Sequence, residues 1–148
     1  MAGSKSNTWE NGLLLLLFNN TTFTLVGDAA GLLKSAADGN LYVSLHTADP
    51  GEGGDQTTNE CAYTGYARVA VPRTAAGWAV VANAVDNVAA ITFGLDTVGV
   101  EHITHFGVGT SAAGAGKLLY SGDLTAALDV SPGITPSFAI GALDITES

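Results

Sequence analysis

Leu41-Tyr42-Val43-Ser44-Leu45-His46-Thr47 is the stretch whose period decides the fold class. Leu41, Val43 and Leu45 stand two residues apart, which places them on one face of an extended strand. The same reading extends toward the C-terminus. Residues 66–71 form the next run, and Pro72 ends it or marks an edge. Residues 78–81, 88–93, 102–108, 117–120 and 137–145 continue the series, with Gly, Asp, Asn or Pro in each gap. Some seven or eight short strands with little helix between them predict a mainly β fold. The architecture expected is an antiparallel β-sandwich or barrel, jelly-roll-like, preceded by a short N-terminal helix.

The N-terminal part follows a different pattern. Residues 1–6, MAGSKS, read as a flexible arm. Asn7 offers a helix cap, and Glu10 follows three residues later as in a relaxed capping box. The helix is expected over residues 7–19, with its stop at Asn19-Asn20. Its run LLLLLF, residues 13–18, leaves no clean polar face, so such a helix needs cover from its own domain or from a neighbour. Residues 21–40 stay open: 21–26 alternate weakly like a strand, and 29–37 would suit a short helix ending at Asp38-Gly39. The expected organisation is one domain over 1–148, with the β-domain at 41–148 and no strict internal repeat.

Composition narrows the function classes. Of 148 residues, 47% are hydrophobic and 13% charged, the balance of a folded chain. Fourteen acidic residues against five basic ones give a net charge of -9. Phosphate neutralisation needs clustered cations, and Lys5, Lys34, Arg68, Arg73 and Lys117 are scattered, so nucleic acid is excluded as the main ligand. An acidic membrane surface is disfavoured on the same ground. The apolar run at 13–18 is far too short for a membrane span and shorter than a usual signal-peptide core. Cys61 is the single cysteine, so no intrachain disulfide forms, which fits a reducing folding compartment.

Four groups of residues invite a catalytic or ligand-binding reading. Gly107-Val108-Gly109-Thr110-Ser111-Ala112 matches the dinucleotide pattern G-x-G-x-x-[GA]. That pattern needs a helix after it, and Ala113-Gly114-Ala115-Gly116-Lys117 is poor helix material; a β-hairpin loop is expected instead. His102 and His105 are three apart, which on a strand turns them to opposite sides, and no zinc-spaced partner is near. Ser44 and His46 share the polar face of their strand, but no G-x-S-x-G elbow accompanies them. Asp49, Glu52 and Asp55 could flank a sugar or hold calcium, although the EF-hand order is absent. The reading is a non-enzyme with no catalytic residue, no cofactor and no metal.

The words LYVSLHTADPGE at 41–52 and YTGYARVAV at 63–71 resemble a family of small virion proteins of tailed bacteriophages. AITF at 90–93, THFGVG at 104–109, LLYSG at 118–122 and GITPSF at 133–138 extend the likeness, which runs from about Thr8 to the C-terminus. Members carry tail-fibre-like or head-decoration labels, so the resemblance implies virion structure and brings no catalytic residue with it.

The function expected is a capsid decoration, or cement, protein on the outer head surface that stabilises the shell. Its partners would be the major capsid protein and further copies of itself, with assembly in the host cytoplasm. The alternative is a tail or tail-fibre component that touches the tail or the host surface. Neither coiled-coil heptads nor a collagen-like repeat is present, which argues against a shaft and leaves a tail knob open. Candidate interface residues are Trp9, Leu13, Leu16, Phe18, Phe23 and Trp78 by residue type. Arg68 and Arg73 join them as scarce cations that could meet an acidic partner or solvent.

Overall fold

One helix and nine strands order the chain in the computed structural model, which describes residues 3–148. Met1 and Ala2, the start of the expected arm, lie outside the described residues. In chain order the elements are α1 (Asn7–Asn19), β1 (Asn40–His46), β2 (Val69–Pro72), β3 (Trp78–Val81) and β4 (Ala84–Asn87). They continue with β5 (Ile91–Thr92), β6 (Glu101–Gly109), β7 (Leu118–Val130), β8 (Ser137–Phe138) and β9 (Asp144–Thr146). The strands form three antiparallel sheets, ordered β2-β1-β6-β7, β3-β4-β9 and β5-β8. The mainly β expectation with an N-terminal helix therefore holds, and of its two forms the barrel is not realised, because no sheet among the described residues closes on itself.

The chain divides into two compact units. The first holds the residues up to Gly39 together with Pro72–Ala90 and Ala139–Ser148. Its helix covers the expected residues 7–19, and only the cap differs from the capping-box reading. Ser6 is the cap, its hydroxyl accepting from the Trp9 amide, and its carbonyl accepts from the Glu10 amide at 3.0 Å. The end lies where the sequence placed it: Asn20 adopts a left-handed φ of 47°, and the Asn20 and Thr21 amides both turn to the Leu15 carbonyl. Glu10, Leu14 and Phe18 form the buried stripe at four-residue spacing, and the other leucines of the run are half-buried. Phe18 meets Trp78 of β3 edge-on at 5.0 Å between ring centres. Both side chains are fully buried, and burial of each such side chain contributes about 1.5–3 kcal/mol.

Strand β4 was not legible as a strand. Its run AVDN has two polar residues in four, yet Val85 is buried between Val80 of β3 and Ile145 of β9. The expected strand at 137–145 is two strands with a turn between them. Asn87 holds that turn: its amide donates to the carbonyls of Ala89 and Ala139, and its side-chain oxygen accepts from Leu143. Residues 21–39 form neither the strand nor the helix considered for them. They hold a single bridge, Phe23 to Leu32. Leu25, Gly27 and Gly31 sit at positive φ, and a side chain at Gly31 would strike the Phe23 carbonyl, so a continuous helix is blocked there.

The second unit spans Asn40–Val71 and Ile91–Phe138. Leu41, Val43 and Leu45 are buried as their spacing requires. Ser44 and His46, on the other face of β1, are buried too, so this end of the sheet is covered on both sides. Rings link the loops to the small sheet: Tyr63 to Tyr66, Tyr66 to Phe93, and Phe138 against both Phe93 and Phe106, all at 5.5–6.3 Å. β6 and β7 form a hairpin whose register shifts between Ile103 and His105. β7 runs far beyond the four residues expected, because Gly122 and two aspartates mask its strand character.

Candidate functional site

The glycines of the nucleotide-like pattern are explained by packing inside the second unit. A side chain at Gly107 would meet Ser44 Oγ and His46 Nε2, each at 2.6 Å. One at Gly109 would run into the Gln56 side chain. Residues 110–117 are the hairpin connection, closed by the Thr110 amide on the Lys117 carbonyl at 3.1 Å. Gln56 holds the loop from beneath: its Oε1 accepts from the Ser111 amide, and its backbone N–H donates to the Ala115 carbonyl. No helix follows the glycines, so no amide row is aimed at a phosphate.

Arg68 locks the same loop from the side. Its Nε and Nη2 donate to the two carboxylate oxygens of Glu60 at 2.6 and 2.7 Å, a forked pair. Its Nη1 and Nη2 also reach the carbonyls of Ser111 and Gly114. The arginine side chain is only 2% exposed. Hydrogen bonding to Glu60 raises its pKa still further. Tyr66 completes the cluster, donating to Glu60 and accepting from the Leu45 amide, and burial pushes its phenol well above the usual range. The sequence marked Arg68 as a scarce cation; the structure spends it inside the chain.

Ser44 and His46 have the contact that a nucleophile and its base would need, 2.8 Å between Oγ and Nε2. His46 Nδ1 lies 2.9 Å from the Thr58 carbonyl, so Nδ1 carries the proton and Nε2 accepts from the serine. Both residues are fully buried, which leaves a substrate no approach. Desolvation holds the His46 imidazole below its ordinary value. The other two histidines each hold a separate acid across the hairpin: His102 with Asp129 at 2.6 Å and His105 with Asp123 at 2.7 Å. Among the described residues, no three His, Cys, Asp or Glu side chains converge as a metal centre requires. In the acidic loop, Asp49 caps the Gly51 amide, and Asp55 accepts from Thr57 and Thr58 within a turn. Burial raises the Cys61 thiol far above its ordinary value, which keeps it inert.

The candidate interface residues of the first unit have different fates. Phe18 and Trp78 are core residues packed on each other and present nothing outward. Trp9 stacks obliquely on Phe23 at 5.5 Å while staying 36% exposed. Leu13, Leu16 and Phe23 are half-buried. Arg73 donates to the carbonyls of Leu17 and Leu16 at 2.6 and 2.9 Å, so this cation caps the C-terminal turn of the helix. A rare arginine was visible in the sequence; a helix end 56 residues away was not.

What the described residues offer is a packed β scaffold in which many polar groups turn to internal bonds, while Gln56 Nε2, Trp78 Nε1, Glu101 Oε2 and both carboxylate oxygens of Asp96 are buried without a hydrogen-bond partner. No curated protein matches the chain. A family model, described as Podophage GP4 fiber I protein gp80, matches residues 4–146. That span takes in nearly the whole chain, both units included, and agrees with the bacteriophage virion resemblance of the strand words. The chain belongs to the Podophage GP4 fiber I protein gp80 family, and is a phage virion fibre protein.

Proposed function

We propose that this protein is a structural, non-enzymatic component of a tail fibre on a podophage virion. The observation that carries this reading is the family match over residues 4–146, whose description names a fibre. It supports the tail-side alternative above the head-exterior expectation, and with it a fibre partner above the major capsid protein. The packing adds support: Ser44 and His46 are sealed, and the glycine loop is filled by Gln56. Self-association within the fibre, with Trp9, Leu13, Leu16 and Phe23 as contact residues, belongs to the same proposal. The test is immunogold labelling of purified virions with antibody against this chain. Gold at the tail-fibre positions is the expected result; gold spread evenly over the heads would restore the decoration reading.

A further inference from the structure

Asp96 is fully buried, and neither oxygen of its carboxylate has a hydrogen-bond partner. Buried polar groups in native proteins are partnered almost throughout, by protein, water or an ion. A buried carboxylate with nothing against it is the costliest exception. None of the five Lys and Arg side chains compensates it. Arg68 is held by Glu60, Ser111 and Gly114, Arg73 by the carbonyls of the helix end, and Lys5 by Glu147. Lys34 and Lys117 are exposed. The Asp96 backbone is pinned in place: its amide donates to the Ile134 carbonyl and its carbonyl accepts from the Gly133 amide, both at 2.9 Å. The next amide, that of Thr97, donates to the Thr64 carbonyl at 3.0 Å. Segments 63–65, 94–99 and 131–134, all of the second unit, thus converge on one carboxylate.

Glycines shape the space around it. Gly99 has a φ of 135°, a conformation that favours glycine. A Cβ there would stand 4.0 Å from Asp96 Oδ1 and 3.3 Å from the Tyr63 Cβ, so the glycine leaves free the space that a side chain would fill. Side chains at Gly65 and Gly94 would strike the Leu95 and Gly65 carbonyls, so these two segments meet backbone to backbone. The nearby Tyr63 phenol is pushed up to about 12, by burial first and then by neighbouring negative groups, Asp96 among them. Among the described residues no three His, Cys, Asp or Glu side chains meet, which rules out a zinc-type donor set. Calcium has other needs: it takes carboxylate and backbone carbonyl oxygens together in a flexible shell. Magnesium keeps several waters, which a carboxylate closed to solvent does not offer. We infer that Asp96 is the anionic ligand of a buried calcium ion, and that backbone carbonyls of segments 63–65, 94–99 and 131–134 complete its shell. A single carboxylate makes the site weak, with a Kd of about 10⁻⁴–10⁻³ M. The inference does not depend on where in the virion the protein sits.

The purified full-length chain is stripped with a chelator and melted calorimetrically over a series of CaCl2 concentrations at constant ionic strength, with MgCl2 as the comparison. Calcium is expected to raise the melting temperature saturably, with about a tenfold gain in the folding constant at about ten times the Kd. Magnesium should give a clearly smaller rise. Asp96→Asn keeps the shape of the side chain and loses its charge. That variant should lose the calcium response, and without calcium it should melt no lower than the unaltered protein, since it no longer buries a bare charge. Identical melting of the unaltered protein with and without calcium overturns the inference, as does an equal response to magnesium. An undiminished response of folded Asp96→Asn overturns it as well, because the ion would then sit elsewhere, as at Asp49, Glu52 and Asp55. Should the variant fail to fold, amide exchange of the unaltered protein decides. Calcium-dependent protection at 94–99 and 131–134 supports the site, and protection confined to other residues, or none, overturns it.

Discussion

Removing the Arg68 guanidinium would leave the half-buried Glu60 carboxylate against Tyr66 with no counter-charge. Arg68→Ala is expected to destabilise the protein by about 1.5–3 kcal/mol, the range for hydrogen bonds to a charged group. Arg68→Lys should recover only part, since an ammonium cannot fork onto both carboxylate oxygens and reach Ser111 and Gly114 as well. Denaturant melts of the three proteins measure both effects. His46 gives a pH signature. Its folded pKa is depressed by burial below the ordinary 6.5, so the unfolded chain takes up the proton first. Its contribution is present above pH 6.5 and is lost as pH falls from there through the folded value. His46→Gln should flatten the stability-pH curve in that window, and an unchanged slope would assign the acid sensitivity to other groups. At this scale the sequence showed which residue types were rare. It could not pair Arg68 with Glu60, because a contact of that kind depends on where two loops end in space.

Helix α1 separates local from tertiary contributions to one element. Ser6→Ala removes a cap and should cost about 1 kcal/mol. Leu14→Ala removes a fully buried side chain from the stripe and should cost about 2–5 kcal/mol. Thermal melts that rank the two the other way would mean that the helix stands on its own turns rather than on its packing. The element's existence and its end at Asn19-Asn20 were legible, since a capping-type residue, a leucine run and an asparagine pair are local signals. Its first residue was legible too, while the cap is Ser6 and not Asn7, because both are competent caps and only the local backbone chooses between them. Strand β1 was legible because one of its faces alternates cleanly. β4 was not, because its place depends on pairing with β3 and β9, and β9 lies about 60 residues away.

A whole chain with 14 acidic and 5 basic residues repels a polyanion, and its two arginines are bound internally. Mobility-shift assays with duplex DNA at low salt should therefore show no retarded band, where a phosphate-binding protein would bind most tightly. Titration with NAD, ATP or GTP should likewise give no heat of saturable binding, because the glycine loop is packed from within. The sequence by itself determined the mainly β class, the N-terminal helix, the acid balance and the bacteriophage resemblance. Each of these is written in residue type or in short-range spacing, and spacing survives without knowledge of neighbours. Only the tertiary structure decided that the sheets stay open and that Gly107 and Gly109 make room for Ser44, His46 and Gln56. Those outcomes depend on which distant segments share a volume, and steric exclusion between side chains acts only once the chain has folded back on itself.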